Sequence, residues 1–426
     1  MTANRSSDLP LLAVAHGARS LPTFQLLEPL SNICRVLWLV DGREPEVVQL
    51  RGLLTRFGPV VDTAGLDAAD AAGLVGEYEP DGIVAYRDSD ILRVSLMADH
   101  LGLMFHKPDV ARRLVDKLHQ RRALARAGLP TPHVVEVVVA DDASLADEVA
   151  SQVRFPVVVK PRRGNGSTCV FKAGNRHELA SAFKRCASSR PEDDEFIVEE
   201  FLDDFGEMIR AGYASFVSVE SIVIDGAVHH LATNGRMPLA EPFRETGTFI
   251  PSQLEPAQAT AVLEVAGEAI GALGVRHGCL HTEIKLTPDG PRVIEVNGRI
   301  GGGVPDMLML ASGEDILALS MRMALGQPID VEGLIPCERI GYRLMYQPPA
   351  AARVVSSIDG LDQITRLPGL HSFSVKHGPG DEFDAADGSN SYLFEVVGSV
   401  ENHGALLDMA RSVRDTVSVT YGKRAS

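Results

Sequence analysis

Apolar positions along the chain fall into short runs separated by amphipathic stretches. Residues 35–41 read Arg-Val-Leu-Trp-Leu-Val-Asp, an apolar run closed by a turn, and residues 81–86 repeat the form as Asp-Gly-Ile-Val-Ala-Tyr. Leu101 to Phe105 make a shorter third run. Continuous apolar strands alternating with helical stretches predict a parallel α/β sheet over 9–105. No Gly-x-Gly-x-x-Gly follows the first run, so a dinucleotide-binding turn is not expected there. Residues 110–128 read as one helix closed by Gly128, with Pro130 and Pro132 beyond it. Strands are expected at 134–139, 157–160 and 195–199, with helices at 144–153 and 176–188. Longer strands follow at 214–224 and 227–233, then a helix at 256–273, a hairpin at 281–297 and a helix near 313–325. The last block from 338 opens on a strand at 340–346 and closes on a helix at 402–416 and a strand at 417–421. Glycine and proline clusters at 326–336 and 377–388 punctuate this end.

The hairpin carries the strongest chemical signal. His281-Thr-Glu283-Ile-Lys-Leu runs into Thr287-Pro-Asp-Gly290, a turn sequence, and resumes as Arg292-Val-Ile-Glu295-Val-Asn297-Gly-Arg299-Ile-Gly301-Gly302-Gly303. Strand alternation puts Glu295, Asn297 and Arg299 on one face and Ile294 and Val296 on the other. Folding back at the turn brings Glu283 alongside Glu295. Two carboxylates and an amide oxygen suit Mg²⁺ holding phosphates, and an adjacent guanidinium suits phosphoryl charge. The three glycines imply a close backbone approach.

Phe155-Pro-Val-Val-Val-Lys160-Pro-Arg-Arg-Gly164-Asn-Gly166-Ser167-Thr is a buried strand that ends in a lysine and a glycine-bearing loop. A lysine there is costly to desolvate without an anion, and such a loop can turn its N–H groups toward phosphate. The spacing is not that of a P-loop. Glu195-Phe-Ile-Val-Glu199-Glu200-Phe201-Leu202 is an apolar strand ending in acids.

Composition narrows the class. The 426 residues exceed one ordinary domain, with 45% hydrophobic and 23% charged residues. The net charge of −16 argues against a broad basic surface for nucleic acid or anionic membrane. No apolar span is long enough for a membrane helix, and the polar residues 1–8 do not resemble a signal peptide and are expected to be disordered. Five scattered cysteines fit a reduced, cytoplasmic setting.

Taken in order, Lys117, the Val-Val-Val-Lys160-Pro strand with its loop, Val-Glu199-Glu200-Phe-Leu, His281-x-Glu283 and Ile-Glu295-Val-Asn297-Gly-Arg299-Ile-Gly-Gly resemble the ATP-grasp superfamily. The likeness is greatest to the carboxylate–amine ligases that include L-amino-acid (dipeptide) ligases, and it spans nearly the whole chain. It implies an ATP-grasp fold of α/β and α+β character. The expected parts are an N-terminal α/β domain (1–112), a central lid subdomain with the phosphate loop (113–205), a catalytic antiparallel-sheet domain (206–336) and a C-terminal subdomain packed on it (337–426). It implies ATP with Mg²⁺, or Mn²⁺ in its place. Lys117, Lys160, Gly164, Gly166 and Ser167 would contact phosphates, Glu199, Glu200, Phe201 and Leu202 would line the adenine pocket, and Glu207 is a further candidate there. Glu283, Glu295 and Asn297 would hold the metal. Arg299, with Glu220 and Glu245, would be catalytic, and Arg236, Glu245, Arg299, Gly301 and Gly302 would meet substrate. Gly298 stands where many relatives have proline, and the 203–207 stretch blurs the ribose contact.

The reaction so implied joins a small-molecule carboxylate to an amine, with ADP and phosphate released, by a homodimer. An ATP-grasp carboxylase or formyl-transferring enzyme, and a nucleotide binder without turnover, are the competing expectations. Arg236 and Arg343 are plausible carboxylate anchors, although an internal ion pair is the favoured expectation for each. The substrates and the general base stay open.

Overall fold

The computed structural model describes residues 9–18, 20–138, 145–189 and 195–422. The expectations for 1–8, for the strand end at 139 and for the helix start at 144 lie outside the described residues. A parallel four-stranded sheet opens the chain, in the order Val60–Asp62, Arg35–Val40, Leu11–Ala15, Gly82–Ala85. Two of its strands are the apolar runs at 35–41 and 81–86. The expected strand at 101–105 is instead the end of helix Asp88–Leu101 and a turn, where Gly102 adopts φ +68°. Leu11–Ala15 is one of the two interior strands, beside Arg35–Val40. One face of this sheet, with Leu12, Val14 and Trp38, shares a core with helices Val304–Ser312 and Ile316–Ala324. The Tyr86 hydroxyl lies 2.8 Å from Ser320 Oγ across that junction.

The helix expected at 110–128 is two, Pro108–Val115 and Lys117–Arg126. Asp116 interrupts it with extended backbone (φ −122°, ψ 109°), and its carboxylate accepts from the Leu118 and His119 N–H groups. An aspartate offers helix N–H groups a side-chain acceptor, so a break here leaves few of them unpaired. The break fixes Lys117 at the first position of the second helix. The second sheet is antiparallel, in the order Val134–Val138, Glu195–Glu200, Val157–Pro161, Phe171–Ala173, with helices Leu145–Ala150 and Arg176–Ser189 sharing its core.

The largest sheet has eight antiparallel strands, in the order Gly290–Asn297, Gly278–Thr287, Phe216–Ile224, Ala227–Arg236, Gly247–Ile250, Ile340–Met345, Phe394–Val400, Leu370–Val375. It runs without a break across the 336/337 boundary. Period-2 alternation splits its two faces. Val217, Val219, Ile284, Val293 and Val296 pack with Val262, Ala266, Ala269 and Ile270 of helix Pro256–Ala272. The polar residues of the same strands therefore gather on the other face.

Candidate functional site

Register places the site. Glu283 pairs across the hairpin with Glu295, and His281 with Asn297, as the alternation predicts. The next strand adds Glu220 beside His281 and Ser218 beside Glu283. Beyond it come Asn234, paired with Ser218, and then Arg236, Thr248 and Arg343 in one cross-strand row. A β-bulge at Ile294, the extra residue opposite Glu283 and Ile284, shifts the alternation on the Gly290–Asn297 strand.

His281 is the centre of this face. Its Nδ1 contacts Glu220 Oε1, and its Nε2 lies 3.6 Å from Glu283 Oε1. Burial would lower the His281 pKa, but the charge and hydrogen bond of Glu220, reinforced by Glu283, raise it to about 9. Glu220 is fully buried and also accepts from Asn234 Nδ2 at 2.7 Å and from the Gly301 N–H at 3.0 Å. Burial pushes its carboxyl up, and His281 with these donors outweighs that and holds it below the usual range. Burial likewise pushes Glu283 up, yet His281, Arg236 and Arg299 bring it down to about 2. A Cβ on Gly301 would meet His281 Nδ1 at 2.4 Å and Glu220 Oε1 at 2.9 Å, so the close approach inferred from the glycines is real there. At Gly303 the neighbour is Arg343 Cδ, while Gly302 faces open space.

A pH dependence follows from His281. The folded protein binds the imidazole proton more tightly than the unfolded chain does, so this contribution is complete below about 6.5 and is lost as pH rises through about 9. The thermal midpoint is expected to fall across that window in wild type and to flatten in His281→Gln. Equal slopes in the two proteins would contradict the assignment.

The cations meet this face from the other elements. Lys117 Nζ lies 2.9 Å from Glu295 Oε1 and donates to the Gly164 carbonyl at 2.7 Å. Lys160 and Glu199 are diagonal neighbours on adjacent strands, and Lys160 Nζ sits 2.9 Å from Glu199 Oε2. Glu199 also faces Arg121, with Nε at 3.1 Å from Oε1. Burial lowers the Lys160 pKa, and Glu199 only partly restores it. Arg299 forks onto Asp88 Oδ2 through Nε at 2.9 Å and Nη2 at 2.7 Å, and Asn165 of the loop donates to the same oxygen at 2.7 Å. The loop is bent by left-handed backbone at Gly164, Gly166, Ser167 and Cys169. Lys172 Nζ lies over the Phe201 ring at 3.6 Å, with Leu202 half-buried beyond it.

The structure thus brings Lys117, Glu295, Glu283, Asn297, Arg299 and the 164–166 backbone together. Glu199 is spent on Lys160 and Arg121, Glu200 is exposed at its strand end, and Glu207 is exposed on the short helix Gly206–Arg210. Arg236 pairs with Glu245 at 2.7 Å, and Arg343 with Glu395 at 2.5 Å, so both form the internal ion pairs weighed against the anchor reading. Asp88, Arg121, Asn165 and Asn234 are absent from the sequence-derived set. Asn165 lies within the glycine-bearing loop, and the other three stand in no motif and are brought in only by long-range packing. Among the described residues no group of three His, Cys, Asp or Glu could hold a metal ion. The donor set present is two facing carboxylates and the Asn297 amide. That fits Mg²⁺, which takes one or two carboxylates and fills its remaining positions with phosphate and water.

Residues 153–306 match the sequence model of the ATP-grasp domain. The chain carries an ATP-grasp domain. It holds the loop, Lys160, Glu199 and the hairpin that carries Glu283 and Glu295, while Lys117 and Asp88 reach it from outside. Carnosine synthase 1 of Gallus gallus is 29% identical over 260 residues, which cover 58% of this chain and 28% of that protein. Alanine–anticapsin ligase of Bacillus subtilis is 27% identical over 237 residues, 53% of this chain and 49% of that one. The chain therefore spans less than half the length of either relative. The ATP-grasp fold extends past the domain. The crystal structure of an L-amino acid ligase from Bacillus licheniformis superposes with a TM-score of 0.76 at 22% identity, over 97% of this chain and 99% of that one. No helix among the described residues is long and apolar enough to cross a membrane.

Proposed function

We propose that this chain is an ATP-dependent carboxylate–amine ligase. It would join amino acids or amino-acid-like acids through an acyl phosphate and release ADP and phosphate. The observation that carries the reading is the Glu283–Glu295 pair, opposed in register and flanked by Lys117 on one side and Arg299 on the other. A site that only bound nucleotide would have no use for a half-buried arginine at that end. The two ligases among the relatives add support.

A carboxylate is a poor electrophile. Transfer of the γ-phosphoryl group to one of its oxygens, with cleavage of the bond to ADP, makes phosphate the leaving group. The amine nitrogen then attacks the carbonyl carbon, phosphate departs and the amine loses a proton. Lys117 and Lys160 would exchange their carboxylate and carbonyl partners for phosphate oxygens. The loop 163–168 would exclude water that hydrolyses the acyl phosphate. Arg299 would stabilise the transferring phosphoryl group and then the tetrahedral oxyanion. Mg²⁺ on Glu283, Glu295 and Asn297, or Mn²⁺ on the same oxygens, would neutralise phosphate charge. Glu220 has both oxygens engaged, so it positions His281 and the Gly301 backbone, and Glu245 is the more open of the two acids. Glu199 to Leu202 would border the adenine. A cytoplasmic homodimer belongs to the same proposal.

The test is direct. Purified protein with ATP, Mg²⁺ and pooled amino acids should release phosphate only when two amino acids are present, with a product of their summed mass less one water. Dependence on bicarbonate or formate instead, or tight ATP binding without turnover, would overturn the reading.

A further inference from the structure

The phosphate loop closes against the C-terminal part of the chain. Residues 385–391 form a short 3₁₀ segment kinked at Gly388 (φ 66°, ψ −143°). A Cβ at Gly388 would meet Gly166 O at 2.1 Å, Ser167 C at 2.5 Å and Thr168 N at 2.6 Å, all backbone atoms of the loop. Three hydrogen bonds fasten this contact. Ser389 N donates to Gly166 O at 2.8 Å, Cys169 N donates to Ala386 O at 2.9 Å, and Thr168 Oγ1 donates to Asp387 O at 3.3 Å.

The same segment holds the Glu245 turn. Glu245 N donates to Ser389 Oγ at 2.9 Å. Gln347 Nε2 donates to both the Glu245 and the Ser389 carbonyls at 2.8 Å. Fully buried Arg244 adds a bond to Ser391 Oγ at 3.2 Å. Buried Ser389 is thus a junction. Its N–H faces the phosphate loop, its hydroxyl meets the turn that presents Glu245 to the sheet's polar face, and its carbonyl is linked to that turn through Gln347. The turn and the loop touch the segment at adjacent atoms, so displacement of one is felt by the other through a single residue.

We propose that Ser389 is a positioning residue that couples closure of the phosphate loop to the Glu245 turn, so that ATP is committed only when the substrate side is assembled. This rests on the ligase reading for its purpose, though not for its geometry. Ser389→Ala removes the acceptor of the Glu245 N–H and keeps the backbone bond to Gly166. Gly388→Ala places a methyl against the loop backbone at a left-handed position and blocks its seating.

The experiment is hydrogen exchange on the full chain with a non-hydrolysable ATP analogue. In wild type the analogue should slow exchange in both 163–169 and 242–246. Ser389→Ala should keep the first effect and lose the second, Ser389→Thr should restore it, and Gly388→Ala should lose both. With turnover, Ser389→Ala should raise the KM of an amino-acid substrate about tenfold and leave the ATP KM within about twofold, the size expected for one buried hydrogen bond. A wild type without ligase activity would refute the function while leaving the exchange pattern to decide the coupling. An unresponsive 242–246 segment in wild type, or an equal response in Ser389→Ala, would overturn the coupling itself.

Discussion

Arg299→Ala should lower kcat by about a hundredfold to a thousandfold while ATP affinity changes by less than about threefold. That is the scale seen when one donor to a developing negative charge is removed. The geometry supports the split. Arg299 sits just past the hairpin, feels the charges of Glu283 and Glu295, and is linked by hydrogen bonds to the loop through Asp88 and Asn165. Burial disfavours its charge, and Asp88 more than offsets this. A guanidinium keeps its proton at any working pH and presents a planar fork, so Arg299→Lys should recover little. Steady-state kinetics with calorimetric ATP titration measures both quantities. Unchanged kcat in a folded variant would remove Arg299 from the chemistry. Asp88→Asn is the companion variant, because it keeps the arginine and weakens the fork that aims it.

Glu220→Ala carries the largest expected loss of stability, about 3–5 kcal/mol, the usual cost of breaking a buried charge pair from one side. It leaves the His281 imidazolium, the Asn234 amide and the Gly301 N–H without their acceptor. Glu220→Gln should cost less, since one amide oxygen still accepts from Gly301 or Asn234. Glu245→Ala should cost less than Glu220→Ala, since Glu245 is half-buried and the buried Arg236 it leaves keeps the Gly235 carbonyl and Ser218 hydroxyl as partners. Denaturant midpoints order the three variants, and a Glu220→Ala protein as stable as Glu245→Ala would contradict the buried network.

The hairpin was legible because its information is local. Alternation and a turn sequence are enough to set Glu283 against Glu295 and to point Asn297 the same way. The loop and its lysine were legible for the same reason. The break at Asp116 was not, because Arg-Arg-Leu-Val-Asp-Lys-Leu-His has good helix character throughout, and the deciding factor is a capping carboxylate that also pairs with Arg162 at 2.6 Å. The 101–105 run differs from the expected strand because a helix end followed by Gly102 has the composition of a short apolar strand. Asp88 and Ser389 carry no sequence signal, and Asn165 has none beyond its place in the loop, because each acts through a partner between 77 and 211 positions away. Placement by tertiary packing leaves no periodicity to read.

The central claim is that a carboxylate is activated by phosphoryl transfer, and oxygen-18 tests it most directly. With ATP, an amine and a carboxylate substrate labelled on both oxygens, the account predicts that each released phosphate carries one labelled oxygen while the other stays in the amide. Phosphate formed at the same rate without label would mean that water or another acceptor takes the phosphoryl group, and would contradict the ligase mechanism.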